Sequence, residues 1–318
     1  MIDSYYQTPS TWFPAFGHLS LLSEVTHWQP LRKWSLSEVW RITTHSGKTW
    51  IAKWARGSQS TELDMYLDVL IPLQVKTASL HSFLRTKDGH FFILEDLGSA
   101  TIEQHPEKIF FIEAAKTLAH VRTSATRYLT LGSASIPQKY VISPQQYLDA
   151  LTFLLDHHLL TNDDKGMLTR LSSWFSGQLT ALYTHLPPTL NHNDYHAKNL
   201  VISGDAIVPI DWPNASISPH LADLYCLIRE AEHFSLPASS LIETFRAETQ
   251  PPHENITMPL QWDVALEWQI ALGGICWLLT TLRWLLDEGV QAIPVAIQWI
   301  PGLLQDIEQC EALHEKYC

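Results

Sequence analysis

The spacing of apolar positions changes character about a third of the way along the chain. From residue 25 to 53 it is strand-like: Val39 and Arg41 alternate with Trp40 and Ile42, and residues 49–54 read as a returning strand. His45-Ser46-Gly47-Lys48 between them predicts a turn, with Gly47 free to take positive φ. Residues 61–70 follow Ser58-Gln59-Ser60 and predict a helix opened by cap-type residues. Residues 90–98 read as a strand running into a turn. Residues 1–25 mix aromatic and small polar residues and predict a helical or irregular lead-in.

Beyond Leu97 the period becomes helical. Phe110, Ala114, Leu118 and Val121 share one face of a helix predicted over 106–124. A second opens at Ser143, with Pro144 in its first turn, and runs through His158. A third covers 163–185 and is stopped by Pro187-Pro188. Residues 223–234 and 239–248 predict two more, and Gln250-Pro251-Pro252 starts a loop. The last, 262–287, is apolar on nearly every face, as a helix buried inside a domain would be. Its Trp262, Trp268, Trp277 and Trp284 suit core packing, or a cage for a quaternary ammonium. His157-His158 reads as a polar helix end, since adjacent residues on a helix point to different sides. Strands first and helices after predict an α+β fold divided into residues 1–97 and 98–318.

Composition narrows the function classes. Hydrophobic residues make up 46% of the 318 and charged ones 17%, ample for a core and too apolar for disorder. Residues 1–97 balance nine Lys/Arg against nine Asp/Glu, so the whole net charge of −12 lies beyond them. A nucleic-acid partner, which needs clustered Lys and Arg, is disfavoured; a cationic ligand is compatible. No basic segment precedes an apolar one at the N-terminus, and the apolar run at 270–282 falls short of the roughly 20 residues of a membrane span. The four cysteines show no metal spacing and read as reduced or incidental thiols. The expectation is a cytoplasmic protein with no membrane contact.

The chemistry concentrates between Leu190 and Trp212. His192, Asp194 and Asn199 stand in the order H-x-D-x-x-x-x-N. Two short strands separated by Ser203-Gly204-Asp205 follow, and the second ends on Asp211. Oxygen donors brought together at strand ends suit Mg²⁺, while a carboxylate at a loop tip can instead orient a hydroxyl.

HNDYHAKNL followed by IDW resembles the H-G-D-x-H-x-x-N and I-D-[FW] signature of the aminoglycoside phosphotransferase and choline kinase superfamily. Asn193 replaces the usual first glycine and Pro213 an often acidic residue. Pro219 to Leu224 is similar to the family's G-x-P-x-x-D-L segment, whose aspartate, here Asp223, braces the catalytic loop. The resemblance implies a two-lobed protein-kinase-like fold, a sheet-rich N-lobe and a helical C-lobe, with ATP between them. Asp194 would orient or deprotonate a substrate hydroxyl, with His192 bracing its loop, while Asn199 and Asp211 would hold Mg²⁺.

The same resemblance assigns Trp50-Ile51-Ala52-Lys53 to the strand that presents a lysine to the α- and β-phosphates. Glu62 is then either the partner of Lys53 or a surface carboxylate, because its separation is short for the family. Residues 32–37 would be the tip of the nucleotide-covering hairpin. That tip has no glycine, so Ser35 and Ser37 would donate to phosphate in its place. His90 to Gly98 is similar to the adenine-binding hinge, placing backbone groups near Glu95 and Leu97 on the base. The implied activity is transfer of the γ-phosphoryl of ATP to a small hydroxylated molecule, of aminoglycoside, amino-alcohol or amino-sugar type. The glycine-free tip also fits a non-catalytic binding protein on this fold.

Overall fold

The computed structural model describes residues 8–132, 136–249 and 266–315. The chain forms two compact units. Unit 1 comprises Met1–His105 with Lys198–Asn214, and unit 2 comprises Pro106–Ala197 with Ala215–Cys318. The charge balance of the sequence shifts at Leu97; unit 1 runs on to His105 and takes in a second, separate segment, Lys198–Asn214.

Unit 1 is built on an antiparallel sheet of five strands: β1 (Val25–Lys33), β2 (Ser37–Thr44), β3 (Thr49–Ala55), β4 (Leu80–Thr86) and β5 (Gly89–Glu95), in the order β1-β2-β3-β5-β4. Gly47 closes the β2–β3 turn at φ 80°. One face of the sheet carries Trp28, Trp40, Ile42, Ala52, Phe91 and Ile93, packed with Trp12, Leu19 and Leu22 from the lead-in. The lead-in is thus two 3₁₀ turns, Ser10–Ala15 and Ser20–Glu24, that lid this face. Between β3 and β4 lies α1 (Thr61–Met65), which widens into a π turn at Tyr66–Leu70. The second segment adds the hairpin β7 (Leu200–Ser203) and β8 (Ala206–Pro209). It is tied to unit 1 through bonds from Ile102 N to Leu200 O at 3.0 Å and from Ile202 N to Ala100 O at 2.8 Å. Trp212, fully buried, donates to Thr77 Oγ1 at 2.9 Å and so fastens the end of the segment.

Unit 2 is mainly helical: α2 (Lys108–Thr130), α3 (Pro144–Asp156), α4 (Asn162–His185), α5 (Ala222–His233), α6 (Ala238–Thr249), α7 (Leu266–Trp284), the short α8 (Val290–Ala292) and α9 (Ile300–Glu315). Ser143 and Gln146 form the capping box that opens α3, and Thr161 with Asp164 the one that opens α4. Strands β6 (Thr189–Asn191) and β9 (Ser216–Ser218) pair antiparallel. Helix α7 is buried along most of its length and packs on α3, α5 and α9. Its glycines make this possible: a Cβ on Gly273 would sit 2.6 Å from the backbone of Leu221 and Ala222, and one on Gly274 2.8 Å from Cys310 and Tyr225. With its π extension it runs Leu266–Gly289, 24 residues. That is longer than the sequence run suggested and enough by length and composition to cross a bilayer, yet its burial marks a core helix. The loop expected at Gln250-Pro251-Pro252, the helix start at Trp262, and Cys318 lie outside the described residues. His157 and His158 do not point apart as expected: α3 ends at Asp156, His157 is extended, and the two rings stack at 4.7 Å.

Candidate active site

In unit 1 the functional side chains meet on the sheet face opposite the aromatic core. Lys53 lies next to Ala52 in β3 and so points away from that core. Its Nζ donates to Asp211 Oδ1 at 2.5 Å and forms an ion pair with Glu62 of α1. The lysine and Glu62 are 4% and 1% exposed, so the alternative of a surface carboxylate falls away. Arg32 reaches the other oxygen of Asp211, with Nη1 to Oδ2 at 3.2 Å. Burial alone would raise the pKa of Asp211, but Lys53 and Arg32 outweigh it and hold the carboxyl well below its usual range. Burial would lower Lys53, and its two carboxylates outweigh that, so the ammonium stays charged. Burial pushes Glu62 up, against the pull of Lys53.

Asp211 sits at φ 68°, a left-handed conformation that Asp tolerates better than most residues. The β7–β8 hairpin sets its place. Ile210 N donates to Asn199 O at 2.9 Å, so the backbone just before Asp211 closes on that of Asn199, whose side chain is buried. These two residues offer only oxygen donors or a non-ligating amide nitrogen. Among the described residues no three of His, Cys, Asp or Glu cluster as a metal cage. One carboxylate and one amide oxygen fit a cation such as Mg²⁺, which keeps several positions for water and phosphate.

The tip between β1 and β2 is closed without glycine. Trp34 N donates to Ser37 O at 3.0 Å, the Trp34 indole donates to Ser37 Oγ at 2.6 Å, and Arg56 Nε donates to Ser35 O at 2.7 Å. Ser37 is therefore turned inward and fully buried, while Ser35 stays exposed. At the end of β5, Glu95 is exposed and accepts from Ser79 Oγ at 2.8 Å, and Leu97 is half-buried in the irregular stretch that follows. Between them Asp96, which the sequence pattern did not single out, accepts from Arg41 Nε at 2.7 Å and Nη2 at 3.0 Å and from Gly98 N at 3.0 Å.

In unit 2 the loop after β6 carries His192 to His196. Asp223, in the first turn of α5 and 1% exposed, accepts from His192 N at 2.7 Å and Asn193 N at 2.8 Å. Asn193 takes φ 60°, so it occupies the left-handed position that explains a glycine in the resembling motif. Its amide donates to Ser216 Oγ at 2.9 Å and its carbonyl accepts from the Trp277 indole at 2.8 Å. His192 is buried and its Nδ1 accepts from Asp194 N at 3.3 Å, which shapes the turn that presents Asp194. Asp194 is partly exposed, 3.6 Å from His196 Nε2, while His196 Nδ1 lies 3.0 Å from Glu230. Beneath the loop, the buried Arg122 donates to Asn191 Oδ1 at 2.6 Å and Pro219 O at 3.3 Å.

A family model for the phosphotransferase enzyme family matches residues 27–254, more than two-thirds of the chain. The chain belongs to that family. Its fold is also that of solved phosphotransferases. An ADP-bound aminoglycoside phosphotransferase APH(2'')-Ib is 14% identical with a TM-score of 0.59, covering 94% of this chain and 98% of its own. The GDP complex of wild-type aminoglycoside 2'-phosphotransferase-IIIa is 16% identical with a TM-score of 0.61, covering 95% of each chain. A choline/ethanolamine kinase family protein from Mesorhizobium loti is 14% identical with a TM-score of 0.63, covering 95% of this chain and 93% of its own. At these identities the likeness shows the fold alone. A search of curated proteins by sequence finds no match.

For a phosphotransferase of this family, the structure brings Lys53, Glu62 and Asp211 together in unit 1 and draws the backbone of Asn199 to the same hairpin end. It brings His192, Asp194 and Asp223 together in unit 2. The pairings of Arg32, Arg41, Asp96 and Arg122 escaped sequence reasoning. Only the charge on an otherwise apolar strand (Arg41) or in an apolar helix face (Arg122) hinted at a buried partner.

Proposed function

We propose that this phosphotransferase moves the γ-phosphoryl group of ATP to a hydroxyl of a small molecule that is neutral or carries an amine. The observation that carries the reading is the buried ammonium of Lys53 held between Glu62 and Asp211. A lysine fixed in this way is a point charge of set position, suited to the α- and β-phosphates. Asn199 and Asp211 would hold Mg²⁺, which neutralises phosphate charge as it develops. The loop braced by Asp223 holds Asp194 partly exposed, where its carboxylate can align an acceptor hydroxyl and take up its proton. Backbone groups near Glu95 and Leu97 would meet the adenine, and Ser35 remains the tip hydroxyl able to reach a phosphate. His192 serves the geometry of the loop. A cytoplasmic location, where ATP is plentiful, goes with this activity.

The acceptor reading rests on charge. Among the acidic residues between His220 and Trp268, Asp223 is spent on the loop backbone, and Glu232, Glu248 and Glu267 pair with Arg229, His120 and Arg246. Glu230, about a third exposed, lies across His196 from Asp194 and favours a cationic group over an anionic one. For an amine-bearing acceptor, KM rises with added salt as the attraction is screened.

The test is a two-part assay. Mg²⁺–ATP raises the melting temperature by mass action, and ATP with EDTA does so much less; equal shifts would refute the roles of Asn199 and Asp211. A coupled ATP-consumption screen over hydroxylated amines then finds turnover that Asp194→Ala lowers by roughly 100-fold or more while Mg²⁺–ATP binding persists. Binding without turnover on any acceptor would support the non-catalytic alternative.

A further inference from the structure

Arg32 is placed by an irregularity in the β1–β2 pairing. Along β1, Trp28 pairs with Ile42 and Pro30 with Trp40, and Trp28, Ile42 and Trp40 belong to the aromatic core; continued, that register would pair Arg32 with Glu38 on the same face. Instead a bulge at Leu31 pairs Arg32 with Val39, and Val39 pairs with Lys53. One extra residue flips the side chain to the other face of the sheet. Lys33 takes the vacated side, its ammonium 4.5 Å from the Trp40 ring centroid. The bulge therefore delivers the Arg32 guanidinium to Asp211, with a secondary contact to Ser37 Oγ at 3.4 Å and the Trp34 ring 5.3 Å away.

We propose that Arg32 is a phosphate-binding residue of the nucleotide site, parked on Asp211 until Mg²⁺ takes that carboxylate. The inference rests on the reading of unit 1 as the nucleotide site. Asp211 cannot serve Lys53, Arg32 and a divalent cation at once without crowding like charges. The cation that yields is Arg32, 41% exposed, and not Lys53 at 4%. A displaced guanidinium at this tip meets the phosphates, for which its planar fork of donors is matched. It also supplies what the tip lacks, since there is no glycine there and the Trp34 N–H is already bonded to Ser37 O.

The experiment is calorimetric titration of the full chain, as wild type, Arg32→Ala and Arg32→Lys, with Mg²⁺–ATP, Mg²⁺–ADP and adenosine. Arg32→Ala weakens Mg²⁺–ATP by roughly 10- to 100-fold, the worth of a hydrogen bond to a charged group, and leaves adenosine unchanged. Arg32→Lys falls between, keeping the charge without the fork. An unchanged melting temperature of the unliganded Ala variant shows that the hairpin still folds. Mg²⁺–ATP binding by Arg32→Ala as tight as wild type, or tighter, would overturn the inference alone, because Arg32 would then only obstruct Asp211. A wild-type chain that bound neither adenosine nor Mg²⁺–ATP would overturn it together with the nucleotide reading.

Discussion

Replacing Asp223 by asparagine removes one charge and no volume, and the structure sets the cost. The carboxylate accepts two backbone N–H groups, from His192 at 2.7 Å and Asn193 at 2.8 Å, with 1% of the residue exposed. An asparagine oxygen can keep one of these as a neutral bond, while its NH₂ confronts the other donor. The change forfeits a bond to a charged acceptor, about 1.5–3 kcal/mol, and strands a buried N–H, about 1–3 kcal/mol. Arg122, which burial lowers to about 10 against the pull of Asp223, also loses its countercharge. A total of about 3–5 kcal/mol corresponds to a fall in melting temperature on the order of 10 °C for a unit of this size. Differential scanning calorimetry measures it. The loop also loses the restraint that keeps Asn193 left-handed, so kcat falls while the Mg²⁺–ATP shift persists, Lys53, Asn199 and Asp211 all belonging to unit 1. A melting temperature within about 2 °C of wild type, or less than 1 kcal/mol at this scale, would refute the account of the braced loop.

Lys53→Met leaves Glu62 and Asp211 without their shared countercharge and destabilises by about 3–5 kcal/mol at neutral pH. Asp211 keeps Arg32, but Glu62, already raised by burial, is raised further above its unfolded value, so stability recovers as pH falls and Glu62 protonates; Lys53→Met/Glu62→Leu restores part of it at pH 7.5. Urea midpoints at pH 5 and 7.5 check the sign, and a variant that weakened further in acid would contradict it. His220, which burial and the Arg122 charge lower to about 3, accepts from Ala222 N at 3.3 Å as a neutral ring. The unfolded histidine binds its proton near 6.5, so its shift has no effect above that pH and costs up to about 1.4 kcal/mol per unit below it. His220→Asn keeps an acceptor for Ala222, and relative to wild type it gains about 2 kcal/mol between pH 6.5 and 5. Parallel acid limbs for the two proteins would show that His220 does not titrate on unfolding.

Much of this architecture is legible where a period or a cap carries it. Phe110, Ala114, Leu118 and Val121 marked α2, Ser143-Pro144 marked the start of α3, and the spacing of His192, Asp194, Asn199 and Asp211 marked the loop and hairpin. The sequence reading missed β4, whose face is half solvent-exposed as an edge strand, and α9, although Ile300, Leu304, Ile307 and Cys310 recur there at helical spacing. Pairings between distant residues were hidden for another reason. Arg41 meets Asp96 and Arg32 meets Asp211 through strand register, and the bulge at Leu31 changes parity without any compositional trace. Glu62 looked too near Lys53 because α1 follows β3 after only a single 3₁₀ turn at Gly57–Ser60.

Unit 1 is discontinuous, and that governs the order in which it can be completed during synthesis. Its first 105 residues leave the ribosome with Lys53 and Glu62 in place but without Asp211 or Trp212, which come roughly 110 residues later. At a translation rate of roughly 5–20 residues per second, that is a wait of roughly 5–20 s. Until then a lysine and a glutamate destined for burial lack their second carboxylate, and Thr77 lacks the indole that it accepts from. A fragment ending at His105 is therefore not a complete unit 1. Its last structural part is encoded between the two segments of the other unit, so unit 1 has its whole sequence only once Asn214 has emerged, while Ala215–Cys318 of unit 2 is still to come.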